Sequence, residues 1–276
     1  MFEGIKHIYT VIFGRPFFYR FNYAFFYLGL RGMGFLNYED KKTIDTGEML
    51  FLKKHLASKR NFILVDVGAN IGGYIKEVLD INPNGSIYGF EPHPKTFTKL
   101  EKNIRGFLCS SISVFNIGLS VKKEKLYLYD HGHDDGSAHA SIHMGVIEEI
   151  HGSQSVRYEV EVSTLDDFVA TSNIRKIDLL KIDTEGNELN VLLGATESLR
   201  AGLIDVIHFE FNEMNVISKT FFKEFWDLLP GYEFYRILYG GMHRIQFYNA
   251  LTCEIFAYQN IIAVKKSLSH ESGDQS

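Results

Sequence analysis

The sequence predicts an α/β protein: a doubly wound, Rossmann-like sheet with an antiparallel C-terminal end, preceded by a helical arm. Continuous apolar runs, such as residues 62–67 and 177–182, are typical of strands buried on both faces of a parallel sheet. Segments with helix-start signals separate these runs. A chain of 276 residues is long enough to bury one large core with modest appendages.

Three regions follow from these patterns. Residues 1–58 form an aromatic helical arm and a lead-in helix, and residues 59–266 form the sheet domain. Residues 267–276 are polar and have no core-forming pattern, so we expect a disordered tail.

Aromatic residues crowd the arm, at Phe17, Phe18, Tyr19, Phe21, Tyr23, Phe25, Phe26 and Tyr27. A membrane-spanning helix needs about 20 uninterrupted apolar residues, and Arg15, Arg20 and Arg31 interrupt this stretch. We therefore predict no transmembrane segment. The arm is expected to pack on the core or on a second subunit of a homo-oligomer. The alternative is an interfacial helix that makes peripheral membrane contact.

The predicted elements of the sheet domain follow in order. Thr46 is the expected N-cap of the lead-in helix, which ends near Ser58. Strands are predicted at residues 62–67, 86–90, 113–116, 177–182 and 205–211, and helices at residues 74–81, 94–105, 187–199 and 220–229. Residues 125–129 and 156–160 alternate in polarity and predict an antiparallel insertion, and closing antiparallel strands are expected around 234–237 and 255–264.

Charge and cysteine content exclude some classes of function. The chain has 29 Lys and Arg against 34 Asp and Glu, a formal net charge of −5. A nucleic-acid partner is not expected, since phosphate binding needs a basic excess. Cys109 and Cys253 cannot staple a domain of this size, so a reducing cytoplasm is the expected compartment.

The turn after the first strand has a D-x-G-x-x-x-G pattern, formed by Asp66, Gly68 and Gly72. It differs from the G-x-G-x-x-G turn that binds a pyrophosphate. S-adenosylmethionine has a carboxylate, an ammonium and a ribose but no phosphate. The helix N-terminus favours its carboxylate, while Asp66 and Asn70 offer polar contacts. Glu91, at the tip of the second strand, can accept hydrogen bonds from both ribose hydroxyls. Together these residues predict a nucleoside ligand.

With these residues in place, the chain resembles the FkbM family of S-adenosylmethionine-dependent methyltransferases. The matching stretches are residues 65–72, 90–92, 116–120, 164–168, 178–188 and 209–210. The C-terminal part, with residues 235–237 and 254–256, looks like the branch found among polysaccharide and glycolipid biosynthesis proteins.

The resemblance implies a class I methyltransferase sheet and methyl transfer to oxygen, most often a sugar hydroxyl. By likeness, the cofactor is held by Asp66, Gly68, Asn70, Gly72 and Glu91, with Asn116 near the adenine. Asp183, Glu185 and Glu210 are implied to face the substrate.

Methyl transfer to a hydroxyl gains from a base that removes its proton. Asp183, Glu185, His208 and Glu210 follow or end two neighbouring predicted strands. Clustered carboxylates raise one another's pKa, which makes a carboxylate a competent base. Asp183, His208 and Glu210 are the catalytic candidates, with His208 or Asp183 favoured as the base. The alternative is that the carboxylates hold a divalent cation such as Mg²⁺, but no metal is predicted.

Five histidines lie within residues 131–151, namely His131, His133, His139, His143 and His151, together with Asp134 and Asp135. Their spacing matches no closed structural zinc site, and no cysteine joins them. We expect this loop to overhang the site, with His139 and Ser141 shaping the acceptor pocket. His139 or His143 could serve as base in place of His208. Arg236 would pair with an acidic sugar.

The sequence thus predicts a cytoplasmic O-methyltransferase that uses S-adenosylmethionine and acts on a saccharide or glycoconjugate precursor. One alternative is an NAD-dependent sugar oxidoreductase or epimerase, which the missing G-x-G-x-x-G turn disfavours. The other is a non-catalytic interaction protein on the same fold, with the aromatic arm as its contact surface.

Overall fold

The structure is a computed structural model that describes residues 2–36, 47–107, 111–132, 136 and 139–269. Several sequence predictions fall outside the described residues: the N-cap at Thr46, Cys109, the acidic and histidine residues at 133–135, and the tail beyond residue 269.

Eleven strands are described, and each of the predicted strands overlaps one of them. They are β1 Phe62–Val67, β2 Gly85–Phe90, β3 Ser111–Phe115, β4 Gly118–Leu119, β5 Glu124–His131, β6 Ser155–Ser163, β7 Leu179–Ile182, β8 Val206–Phe211, β9 Tyr232–Leu238, β10 Gly241–Ile245 and β11 Gln259–Lys265.

The described α-helices number twelve. They are α1 Phe2–Phe13, α2 Tyr19–Gly32, α3 Glu48–Leu56, α4 Gly73–Ile81, α5 Pro94–Ile104, α6 Leu165–Thr171, α7 Glu188–Leu193, α8 Thr196–Arg200, α9 Met214–Ser218, α10 Phe222–Leu228, α11 Ala250–Cys253 and α12 Lys266–Ser269. A π-helical turn, Val146–Ile150, lies in the insertion between β5 and β6.

The main sheet has eight strands in the order β10-β9-β11-β8-β7-β1-β2-β3. Strands β3, β2, β1, β7 and β8 are parallel to one another, whereas β11, β9 and β10 are antiparallel. The predicted doubly wound sheet with an antiparallel C-terminal end is therefore confirmed. The carboxyl ends of the five parallel strands meet at one edge, where ligands bind in such folds.

A second, three-stranded sheet has the order β4-β6-β5. Strands β5 and β6 pair antiparallel over their whole length, which confirms the predicted insertion. Leu128 on β5, with Val160 and Val162 on β6, lines the cavity described below. The insertion therefore forms one wall of the site.

Three local predictions were wrong in detail. The predicted helix over 187–199 is two helices, α7 and α8. The Gly194 carbonyl accepts from the N–H of Asp166 at 3.0 Å, and the N–H of Ser198 donates to Asp166 Oδ1 at 2.8 Å, so these two groups do not bond to each other within one continuous helix. Gly47, with φ of 88°, is the N-cap of α3. The last strand begins at Gln259, and α12 extends to Ser269, so the predicted tail begins inside a helix.

The arm packs on the body mainly through its C-terminal root. Leu30 and Phe35 are buried, whereas most large apolar side chains of α1 and α2 are exposed. No helix within the described ranges is long and apolar enough to cross a membrane.

Candidate functional site

A cavity of about 570 Å³ lies at the carboxyl edge of the parallel strands. Val67 pairs with Phe90 and Ile182, and Ile182 pairs with Phe209. The residues that follow these four are therefore neighbours at the same edge. The predicted site residues that line the cavity are Gly68, Asn70, Glu91, His139, Asp183, Glu185 and Glu210.

The backbone of the turn after β1 packs closely against the backbone at the end of β7. Gly68 has φ of 83°, and a Cβ at this position would lie 1.8 Å from the carbonyl oxygen of Asp183. The N–H groups of Gly68 and Ala69 both donate to the carbonyl of Phe90 at 2.9 Å. Gly72 also has a positive φ and is the N-cap of α4. Gly72 does not line the cavity, so the structure gives it a role in shaping the turn.

Glu91 is tied to this turn by its side chain. Its Oε2 accepts from the N–H of Asn70 at 3.0 Å, and its Oε1 accepts from the N–H of His93 at 2.8 Å. Burial raises the pKa of Glu91 to about 7, although these two N–H groups oppose the shift. Each carboxylate oxygen can accept a further hydrogen bond. Glu91 thus keeps the capacity to accept from a ribose diol.

Asp66 lies in β1 beneath the turn and is buried. Its Oδ2 has no hydrogen-bond partner among the described residues. Burial raises the pKa of Asp66 to about 7, and the cation of Lys181 opposes the shift. Such a carboxylate favours a donor or a cation placed near it.

Asn116 follows β3 and donates to the carbonyl oxygens of Glu91 and Pro92, at 2.9 and 3.1 Å. Its amide therefore fixes the backbone that carries Glu91. Asn116 does not line the cavity, and its predicted position near an adenine stays a prediction.

Lys181 links the two acidic strand ends. Its Nζ lies 3.5 Å from Asp183 Oδ2 and 3.7 Å from Glu210 Oε1. Burial alone lowers the pKa of Lys181, but the neighbouring carboxylates of Asp183 and Glu210 outweigh it and raise the pKa. Lys181 therefore stays charged and holds the carboxylates together.

Glu210 is a carboxylate whose surroundings favour the protonated form. Burial and the charge of Asp183 raise the pKa of Glu210 to about 8, against the opposing effect of Lys181. The hydroxyl of Tyr258 donates to Glu210 Oε1 at 2.9 Å. A carboxylate with this pKa is basic enough to accept a proton from a bound hydroxyl near neutral pH.

His208 lies further from the carboxyl edge of the sheet than the sequence prediction placed it. It pairs in register with Lys181, which in turn pairs with Asp66, so the three residues form a row across the sheet. Side chains alternate along a strand, which places His208 on the same face as Glu210 but about 7 Å further from the edge. His208 is buried, outside the cavity lining, with Nδ1 3.0 Å from the Tyr74 hydroxyl and Nε2 2.9 Å from Asn260 Oδ1. This placement does not support the prediction that His208 is the base.

Part of the histidine-rich loop lines the cavity, through His139, Ala140 and Ile142. His139 Nδ1 lies 3.3 Å from Glu185 Oε1, and the Ser141 hydroxyl donates to the Glu185 carbonyl at 2.7 Å. The bond to Glu185 raises the pKa of His139, and burial raises the pKa of Glu185 to about 7. Ser141 is buried and does not line the cavity, so it positions Glu185.

Three imidazole rings, those of His131, His139 and His151, lie together at this side of the cavity. The ring centroid of His151 is 4.7 Å from that of His139 and 5.4 Å from that of His131. Within the described residues no group of three or more His, Cys, Asp or Glu has the geometry to hold a metal ion. His143 lies near Gly186, and burial lowers its pKa.

Arg236 is not brought to the cavity. Its guanidinium donates to Gln259 Oε1 at 2.8 Å and lies 4.0 Å from the ring centroid of Phe35. This buried position on β9 does not support the predicted contact with an acidic sugar.

Sequence reasoning missed Lys181, Tyr258 and Tyr74. A lysine inside an apolar strand run is a usable signal, because such a residue must meet carboxylates or lose its charge. No pattern in the neighbouring sequence indicates a role for Tyr258, because its partner Glu210 is 48 positions away in the chain.

The chain is similar to known methyltransferases. The family model of the methyltransferase FkbM domain matches residues 66–235. The 2-O-methyltransferase NoeI of Sinorhizobium fredii is 24% identical over 187 residues, 64% of this chain and 75% of that protein. The hexuronic acid methyltransferase AglP of Haloferax volcanii is 27% identical over 144 residues, 50% of this chain and 52% of that protein.

Among solved structures, precorrin-6y C5,15-methyltransferase from Geobacter metallireducens aligns with 82% of this chain and 92% of its own, at 13% identity and a TM-score of 0.44.

S-adenosylmethionine, the donor implied by the family, fits the residues at this cavity. Its ammonium and sulfonium are cations, and the cavity edge carries carboxylates whose burial favours a cationic ligand. Asp66 has a buried oxygen without a hydrogen-bond partner among the described residues, and Gly68 and Asn70 of the turn line the cavity. The family match covers more than half of the sequence. The chain therefore belongs to the FkbM family of S-adenosylmethionine-dependent methyltransferases.

Proposed function

We propose that this methyltransferase methylates a hydroxyl of a saccharide or glycoconjugate precursor. The observation that carries the proposal is the position of Glu210, a buried carboxylate with a pKa raised to about 8 in the cavity that also contains the donor turn. Two relatives whose names describe 2-O-methylation and hexuronic acid methylation support a sugar acceptor.

In the proposed mechanism, the turn at Gly68 and Asn70 and the carboxylate of Glu91 hold the donor, and Asp66 contributes a buried negative charge near its amino-acid part. When bound, the sulfonium supplies an activated methyl group. Orienting acceptor and donor in line contributes roughly 7–11 kcal/mol to lowering the barrier.

Glu210 takes the proton of the acceptor hydroxyl as the O–CH₃ bond forms and the C–S bond breaks. S-adenosylhomocysteine would be the product, and Glu210 would release the proton to solvent. Lys181 keeps Asp183 and Glu210 in place at 3.5 and 3.7 Å. Glu185 and His139 line the acceptor side of the cavity.

The test uses the purified full chain, S-adenosylmethionine with a tritiated methyl group, and saccharide acceptors that are either native or fully O-methylated beforehand. Label is expected in the native saccharides only. It should survive mild alkali, because an ether is stable where a methyl ester is cleaved. Alkali-labile label would contradict methylation of a hydroxyl. A melting temperature raised by NAD and not by S-adenosylhomocysteine would contradict donor binding at this cavity.

Binding of the donor is expected to tighten as the pH rises from 6 to 7.5. Burial raises the pKa of Asp66, Glu91 and Glu185 to about 7. These groups are protonated at low pH and become anionic as the pH rises, and a cation favours the anionic form. If one proton is released on binding, Kd falls by up to about tenfold per pH unit.

Calorimetric titration at several pH values measures this dependence. S-adenosylhomocysteine is the matched control, because it has no sulfonium charge and should show a weaker dependence. Identical pH dependence for the two ligands would show that the carboxylates do not respond to the sulfonium.

A further inference from the structure

The first arm helix exposes an apolar stripe. In α1, Ile5, Ile8, Tyr9 and Ile12 follow the spacing i, i+3, i+4, i+7, and their side chains are 59%, 60%, 46% and 46% exposed. Such a stripe normally faces a core. Here these side chains are exposed, so another surface is available to cover them.

The second arm helix is apolar on more than one side. One row of α2 contains Tyr19, Tyr23 and Phe26, and another contains Phe21, Phe25 and Leu28; all six are exposed. Phe17, in the turn between the helices, is also exposed. A protein partner with a flat interface covers one face of a helix, whereas lipid can contact every apolar side chain of a helix that enters the membrane. The two exposed rows therefore favour lipid.

The arm is an ordered helical pair with a fixed root. Asn22 Nδ2 donates to the Phe13 carbonyl at 2.8 Å, and the rings of Phe13 and Phe21 are stacked at 5.7 Å. At the root, Phe35 is buried, and the N–H of Leu36 donates to the carbonyl of Tyr258 at 2.8 Å. The root of the arm thus lies beside Tyr258, a residue that lines the cavity.

Charge separates the arm from the rest of the chain. Residues 1–36 contain four Lys and Arg and one Glu, a net charge of +3. The net charge of the whole chain is −5, so the remaining residues carry a net charge of −8. Arg15 and Arg20 are exposed among the aromatic residues. Aromatic rings interspersed with arginines suit the headgroup region, where the rings lie at the interface and the guanidinium groups reach lipid phosphates.

Neither arm helix is long enough to span a bilayer. At 1.5 Å per residue, α1 and α2 are about 18 and 21 Å long, shorter than the roughly 30 Å of the hydrocarbon core. We infer that the arm, residues 2–36, is a docking element that lies in the interface of an anionic membrane and holds the methyltransferase cavity beside it. The acidic body remains outside the lipid because its net negative charge is repelled by the negative membrane surface.

Vesicle flotation with the full chain tests this inference. The protein is expected to float with vesicles of equal parts phosphatidylcholine and phosphatidylglycerol, and much less with phosphatidylcholine alone or at high salt. The double variant Phe17→Ser/Phe26→Ser should lower binding at least tenfold. Arg15→Gln and Arg20→Gln should each lower it about fivefold. The double variant Phe247→Ser/Leu251→Ser is the matched control, since these exposed side chains lie on the body, and it should bind like the unmodified protein.

Protection by S-adenosylhomocysteine in thermal melts checks that each variant is folded, and it should not change. Failure of the unmodified protein to bind either vesicle would overturn the inference. So would sedimentation showing a dimer that becomes a monomer in Phe17→Ser/Phe26→Ser, because the arm would then be a subunit interface. Neither result depends on the identity of the acceptor.

Discussion

Glu210→Gln is expected to lower kcat by about 100- to 10,000-fold while leaving the affinity for S-adenosylhomocysteine within a few-fold of the unmodified protein. The amide keeps the shape of the side chain and can still accept the hydrogen bond from Tyr258, which joins Glu210 Oε1 at 2.9 Å. It cannot accept the proton of the acceptor. Single-turnover rates and calorimetric titration separate these two effects.

Glu213→Gln is the matched control, because Glu213 also lines the cavity and the variant removes the same charge. Its kcat should change only a few-fold. Equal loss in both variants would show that the total charge matters and that Glu210 is not the base.

The pH profile of the same reaction gives a second readout. Activity should rise with pH through about 8, because the pKa of Glu210 is raised to about 8 and the base must be deprotonated. Asp183 contributes to that shift, so Asp183→Asn should move the rise to lower pH. If Asp183 were the base instead, Asp183→Asn would abolish turnover and Glu210→Gln would not.

Gly68→Ala is expected to weaken binding of the donor more than 100-fold and to destabilise the fold. The position has φ of 83°, and the added Cβ would lie 1.8 Å from the Asp183 carbonyl oxygen. Either the turn or the end of β7 must move. A strained left-handed residue alone costs about 1–3 kcal/mol, which corresponds to a fall in melting temperature of roughly 2–12 °C for a domain of this size.

Gly73→Ala is the matched control, because a Cβ there meets nothing within 4 Å and alanine favours the first turn of α4. It should melt at or above the temperature of the unmodified protein and bind S-adenosylhomocysteine normally. If Gly68→Ala bound and melted like Gly73→Ala, the turn would not be as tightly packed against β7 as the structure has it.

The strands and the donor turn could be predicted from the sequence because their signals are local. The apolar run at residues 62–67 is β1 without adjustment, and Glu91 follows β2 at the end of its run. Helix boundaries were harder wherever a distant contact sets them. At the break between α7 and α8, the Gly194 carbonyl accepts from the N–H of Asp166, which is 28 positions earlier in the chain.

The acidic side of the site was predicted in part. Asp183 and Glu210 could be placed together because both lie at ends of neighbouring parallel strands. The depth of His208 could not, since it depends on strand register, which local polarity does not reveal. The contact of Arg236 could not be predicted either, because its guanidinium donates to Gln259, a residue of another strand 23 positions away.

The α/β sheet, the family and the set of carboxylates around the donor turn could thus be predicted without a structure, because each depends on short contiguous patterns. Three relations became visible in the folded chain alone: which of those carboxylates share Lys181, which one accepts from the hydroxyl of Tyr258, and that the apolar stripe of the arm is exposed. Those relations join residues far apart in the chain, and they are fixed by how strands pair and helices pack rather than by any neighbouring residue.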